Sequence, residues 1–123
     1  MIFDTDVLIW ALRGNEKAAQ AIDADASRAV SIVSCMELVQ GARDRKELAA
    51  IRRFLLDFET LPLSENIGYR AGIYMEEYSL KAGLQLADAL IAATAVERQE
   101  TLYSGNARHY LAISELALKK FHP

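Results

Sequence analysis

The chain has 123 residues, 52% of them hydrophobic, and a formal net charge of −3 at pH 7. That content suits one domain spanning residues 1–123 with a core of its own, and excludes a disordered chain. No apolar stretch reaches membrane-spanning length, the single cysteine, Cys35, excludes an intrachain disulfide, and the acidic balance speaks against a strongly basic nucleic-acid binder, although divalent metal would offset clustered acids.

The opening "MIFDTDVLIWAL" predicts a short strand over Ile2–Asp4, with Asp4 at its exit, followed by a helix that Gly14 ends. Acids arrive by position 4 and no basic segment precedes the apolar run, so no signal peptide is expected and a cytoplasmic location is the default. "NEKAAQAIDADA" predicts a second helix with Asn15 as its N-cap, and "AVSIV" a strand. "SCMELVQGA" predicts a helix. "RKELAAIRRFLLDF" predicts another, whose Leu48, Ile51, Leu55 and Phe58 fall at helical spacing. "TLPL" predicts a short strand weakened by Pro62. "SENIGYRAGIYMEEYSLKAG" then predicts a helix closed by Gly83. "LADALIAATAVERQ" is apolar on most sides, as a buried helix would be. "TLYS" predicts a strand, "NARHY" a helical turn and "ISELALKKF" a last edge strand. Short strands alternating with helices predict an α/β domain with a mostly parallel sheet.

In such a sheet, helices that leave a strand and helices that return to the next one both begin at the C-terminal edge of the strands. Asp4 ends the first strand, Glu37 falls in the first turn after "AVSIV", Asp88 opens the helix returning to "TLYS", and Asn106 follows that strand. All four are predicted on the edge where open α/β sheets bind ligands. Each also has a structural reading. Asp4, Asp6 and Asn106 fit helix caps, Ser34-x-x-Glu37 fits a capping box, and Asp88 suits the positive end of a helix. Capping explains each acid singly but not their shared edge. Three acids there would repel without a cation, and hard oxygen ligands suit Mg²⁺ or Mn²⁺.

"IFDTDVLIW", "SIVSCMELVQGAR" and "LADALIAATAVERQETLYSGNARHY", in this order and spacing, resemble the PIN-domain family, and within it the VapC-like toxins of toxin–antitoxin pairs. The resemblance covers nearly the whole chain. It implies a three-layer fold with a mostly parallel, four- to five-stranded sheet flanked by helices, and an acidic site for RNA hydrolysis. Asp4 matches the first acid of the family pattern, Glu37 the second in "E-L-x-x-G", and Asp88 the third in "A-D-A-L-I-A-A". Asn106 matches a fourth polar or acidic position, and Ser104 one that is usually Thr. His109 stands where many relatives carry Asp in an Asp-Phe pair; here the pair is His109-Tyr110.

The resemblance implies that Asp4 and Asp88 bind one or two Mg²⁺ or Mn²⁺ ions. It implies that Glu37 binds metal directly or through water, or acts as a base, and that Ser104 and Asn106 position water or phosphate. Metal-activated water attacking in line would leave a 5′-phosphate and a 3′-hydroxyl. Asp6 reads as an outer-shell group or a cap. Arg43, Arg45 and Lys46 are candidates for RNA contacts, or a solvated charged face. The resemblance further implies a homodimer and a VapB-like antitoxin laid in an apolar groove, for which "VLIWAL" and "FLLDF" could supply faces. Trp10 reads as an anchor there or, more simply, as core. A housekeeping RNA-processing nuclease and a catalytically silent module binding RNA or protein are the alternative functions.

Overall fold

The computed structural model describes residues 1–123 and places the first two apolar residues at the centre of the molecule. Ile2 and Phe3 form strand β1 (Ile2–Phe3), both fully buried. Side chains alternate across a strand, so the two point into different cores. Ile2 joins Ala29, Leu61 and Leu102 in one apolar cluster, and Phe3 joins Val30 and Phe58 in the other. A strand buried on both faces reads as a continuous apolar run, which is why so short a segment could be recognised.

Four more strands, β2 (Ala29–Ser31), β3 (Glu59–Leu61), β4 (Leu102–Ser104) and β5 (Leu118–Lys120), complete one sheet in the order β3-β2-β1-β4-β5, every pair parallel. Seven helices surround it: α1 (Thr5–Leu12), α2 (Glu16–Ala24), α3 (Ile32–Gln40), α4 (Arg45–Leu55), α5 (Glu65–Ala82), α6 (Leu86–Arg98) and α7 (Ala107–Tyr110). The Ile2 face carries buried residues of α5 and α6, and the Phe3 face those of α1, α2 and α4, giving three layers. The predicted buried helix is α6, with Ala89, Ile91, Ala92, Ala93, Thr94 and Ala95 all buried. As expected, Asn15 caps α2 and accepts from Ala18 N; Gly83 closes α5 in the left-handed region at φ 70°.

The chain moves outward from β1 through β2 to β3, then crosses back over the sheet to begin β4 on the other side of β1. The connections therefore diverge between β1 and β4. A crevice opens at such a switch point, beyond the C-terminal ends of the strands. Asp4 follows β1 there and Ser104 ends β4 there.

Two local expectations are corrected. The strand read over "AVSIV" stops at Ser31, whose hydroxyl caps α3 by accepting from Val33 N at 3.1 Å. The β-branched Ile32 and Val33 belong to the helix, because a cap with a tertiary site for Val33 outweighs their strand preference. Ser34 and Glu37 consequently form no capping box, and Glu37 lies in the second turn of α3 rather than the first. Trp10 is not core: it is 38% exposed on α1.

Candidate active site

Asp4 is the N-cap of α1, and only 4% of it is exposed. Its Oδ1 accepts from Thr5 N at 2.8 Å, so the capping role is real. Its Oδ2 serves something else: it accepts from Ser104 Oγ at 2.7 Å and from the Tyr110 hydroxyl at 3.0 Å. Burial pushes the Asp4 carboxyl up to about 6, against the pull of Ser104 and with a further push from Asp6. A carboxylate this dry, without a cation, is costly.

Asp88 lies in the first turn of α6. Its Oδ2 accepts a long 3.4 Å bond from Gln85 N and lies 3.2 Å from His109 Nδ1. Its Oδ1 lies 3.3 Å from the Tyr110 hydroxyl, which shares its single proton between the two acids. Asp4 and Asp88 thus meet on one buried hydroxyl. Burial and the two neighbouring carboxylates push that phenol far above its ordinary range, so it remains a donor.

Glu37 is exposed and held at one remove. Thr5 Oγ1 donates to Glu37 Oε1 at 2.7 Å, and the Thr5 and Ser34 hydroxyls share a bond of 2.9 Å. Ser104 is fully buried; besides donating to Asp4 it accepts from Asn106 N at 3.0 Å. Asn106 stands at the N-cap of α7, but its side chain makes no capping bond and is free at the crevice. No three acidic, histidine or cysteine side chains come together at ion-binding spacing; Asp4 and Asp88 are the pair the fold brings together.

Asp6 is not the cap of its helix, since Asp4 holds that position. Its Oδ2 accepts from Gly105 N at 2.9 Å, tying the exit of β4 to α1, while its Oδ1 is buried without a partner. Burial raises its carboxyl above the ordinary value. A Cβ at Gly105 would press on Asp6 Oδ2 and force that carboxylate to shift out of the tie. Gly105→Ala is expected to cost about 1–2 kcal/mol in urea unfolding, and most of that cost should disappear in an Asp6→Ala background.

The basic candidates separate. Arg43 Nε pairs with Glu47 Oε2 at 2.8 Å, an exposed pair four residues apart. Arg45 and Lys46 lie exposed in the first turn of α4. Arg43 and Glu37 line one groove between α1, α3 and α4, with Ile9, Leu12, Ala50 and Ile51 as its apolar wall. Thr5, Gly105 and Tyr110 are the participants that sequence reasoning missed. For Thr5 a signal existed: a hydroxyl between two acids in "DTD".

The oxygens available fit a hard divalent ion in kind. Mg²⁺ is usually held by one or two carboxylates and keeps its remaining positions for water and phosphate. Asp4 and Asp88 provide such a pair.

An open parallel sheet with two carboxylates at its switch point defines an α/β domain with an acidic edge. The chain belongs to the PIN-domain family, whose pattern matches residues 1–114. It is similar to the solved toxin–antitoxin complex from Klebsiella pneumoniae, with 29% identity over 94% of this chain and 93% of that one and a TM-score of 0.80. It shares its fold with a DNA-bound VapBC from Salmonella typhimurium, at 21% identity, TM-score 0.85 and coverage of 97% and 96%. The same holds for VapBC from Rickettsia felis bound to a promoter DNA fragment, at 21% identity, TM-score 0.85 and coverage of 99% and 100%. Among curated protein sequences none matches. No helix is long and apolar enough to cross a membrane.

Proposed function

We propose that this PIN-domain protein is a Mg²⁺- or Mn²⁺-dependent endoribonuclease that acts in the cytoplasm as the toxin of a VapBC-type pair. The observation that carries the reading is the meeting of Asp4 and Asp88 on one buried hydroxyl at the switch point of the sheet. Asp4 and Asp88 would hold the ion. When bound, it would supply a more acidic water and neutralise charge on the phosphoryl oxygens. Ser104 fixes Asp4, and the free Asn106 side chain can hydrogen-bond phosphate or water at the same edge. Glu37, which accepts a hydrogen bond from Thr5, would accept a proton from attacking water or bind the ion through water. Of the three basic candidates, Arg45 and Lys46 are free to meet RNA phosphates, since Arg43 is paired with Glu47.

The antitoxin reading is supported by the complexes to which the chain is similar. It is also supported by the apolar groove between α1, α3 and α4, which runs up to Glu37 and suits an amphipathic segment carrying a basic side chain. Trp10 lies exposed on α1, which contributes one wall of that groove. A homodimer belongs to the same proposal.

Incubating the protein with labelled tRNA and rRNA in Mg²⁺, in Mn²⁺ and in chelator tests the activity. Cleavage that requires either ion and leaves 5′-phosphate ends is expected. Cleavage that persists in chelator, or leaves cyclic phosphate ends, contradicts the mechanism; no cleavage in any condition favours a binding module.

A further inference from the structure

Tyr110 is the largest fully buried side chain in the molecule, 1% exposed, on the single turn of α7. Its ring packs in the apolar cluster with Ile113 and Leu116. A phenylalanine would fill the same space among the same neighbours, so packing does not call for the hydroxyl. A buried phenol needs a hydrogen-bond partner, and here both its acceptors are carboxylates. Ser104 reaches Asp4 but not Asp88, and His109 reaches Asp88 but not Asp4. Tyr110 alone bridges the acid that follows β1 and the acid that opens α6.

The acceptor count shows what this bridge leaves available. Asp4 Oδ2 receives the Ser104 proton, and the single Tyr110 proton is shared between Asp4 Oδ2 at 3.0 Å and Asp88 Oδ1 at 3.3 Å. Asp4 Oδ1 receives only Thr5 N, and Asp88 Oδ1 only Tyr110. Each carboxylate therefore keeps at least one lone pair free on Oδ1, in an orientation fixed by these hydrogen bonds.

We propose that the Tyr110 hydroxyl is a positioning group that sets Asp4 and Asp88 relative to one another for a divalent ion. The inference rests on the metal-dependent reading above and adds the residue that preorganises its ligands. Groups hydrogen-bonded to metal ligands typically contribute 10–100-fold to affinity.

The test is Mn²⁺ alone, titrated calorimetrically into the full chain, with melting curves in chelator and in Mn²⁺. Tyr110→Phe is expected to keep its circular dichroism spectrum, to weaken Mn²⁺ binding by about tenfold or more, and to lose most of the Mn²⁺-induced rise in melting temperature. Tyr110→Met, which lacks the hydroxyl but adapts to the cavity, should show the same loss. Tyr74→Phe is the matched control. Tyr74 is another buried tyrosine bonded to a carboxylate, Glu115, on a separate part of the fold, and its Mn²⁺ affinity should equal that of wild type. Affinity in Tyr110→Phe within about twofold of wild type, with binding lost in Asp88→Asn, overturns the positioning role and leaves the ion reading intact. A wild-type protein that binds no Mn²⁺ overturns both.

Discussion

Asp88→Asn and Asp4→Asn are each expected to cut RNA cleavage by at least about 10³-fold without unfolding the protein. An ion held by one carboxylate fewer loses several kcal/mol of transition-state stabilisation, and about 4 kcal/mol corresponds to that factor in rate. Asparagine keeps the shape of each side chain. In Asp4→Asn the amide oxygen can still accept from Thr5 N, so the cap on α1 survives. In Asp88→Asn the amide oxygen can still receive the Tyr110 hydroxyl. Loss of activity with circular dichroism and solubility unchanged is therefore the expected pair of observations. Cleavage within about tenfold of wild type in either variant would remove that residue from the chemistry.

Asp4→Asn should also be more stable than the wild-type protein when both are measured in chelator at pH 8. Burial holds the Asp4 carboxyl at about 6 in the folded protein, above its ordinary 3.8. Between those values the folded protein binds more protons than the unfolded chain, so stability falls as pH rises through that window. The stabilising contribution is fully present below 3.8 and lost above 6. At pH 8 the charged carboxylate costs roughly 3 kcal/mol, at about 1.4 kcal/mol per pH unit of difference. Removing the charge relieves that cost, and the Ser104 and Tyr110 hydroxyls can turn to suit an amide. A higher melting temperature for Asp4→Asn at pH 8, with the gap closing toward pH 4, is the expected result. A variant less stable than wild type at pH 8 would mean that Asp4 is held for the fold alone. Sites that cost stability and are retained mark function more reliably than sites that add to it.

The edge of the sheet was legible in the sequence because it follows from local patterns. An acid directly after a strand, Asp4, and an acid in the first turn of a helix, Asp88, lie on one side whichever order the strands take. Strand order was not legible. It depends on where β4 inserts, and no residue spacing encodes the crossover from β3 past β1. The contacts that assemble the site are long-range for the same reason. Tyr110 reaches Asp4 across 106 positions, and Gly105 reaches Asp6 across 99. Short-range rules offered both Asp4 and Asp6 as caps and could not choose between them; in the fold the cap belongs to Asp4 and Asp6 fastens a loop. The misplaced start of α3 has a local cause. Ser31 and Ser34 are both credible caps, and the apolar run "SIV" looks like strand until tertiary packing assigns Val33 to the helix.

The central claim is that Asp4 and Asp88 form a divalent-ion site. Crystals soaked in Mn²⁺ test it most directly, through the anomalous difference map collected above the manganese edge. A peak bonded to carboxylate oxygens of both Asp4 and Asp88, absent from crystals of Asp88→Asn, is the expected result. A map with no peak at that edge, or with manganese bound only elsewhere, would contradict it.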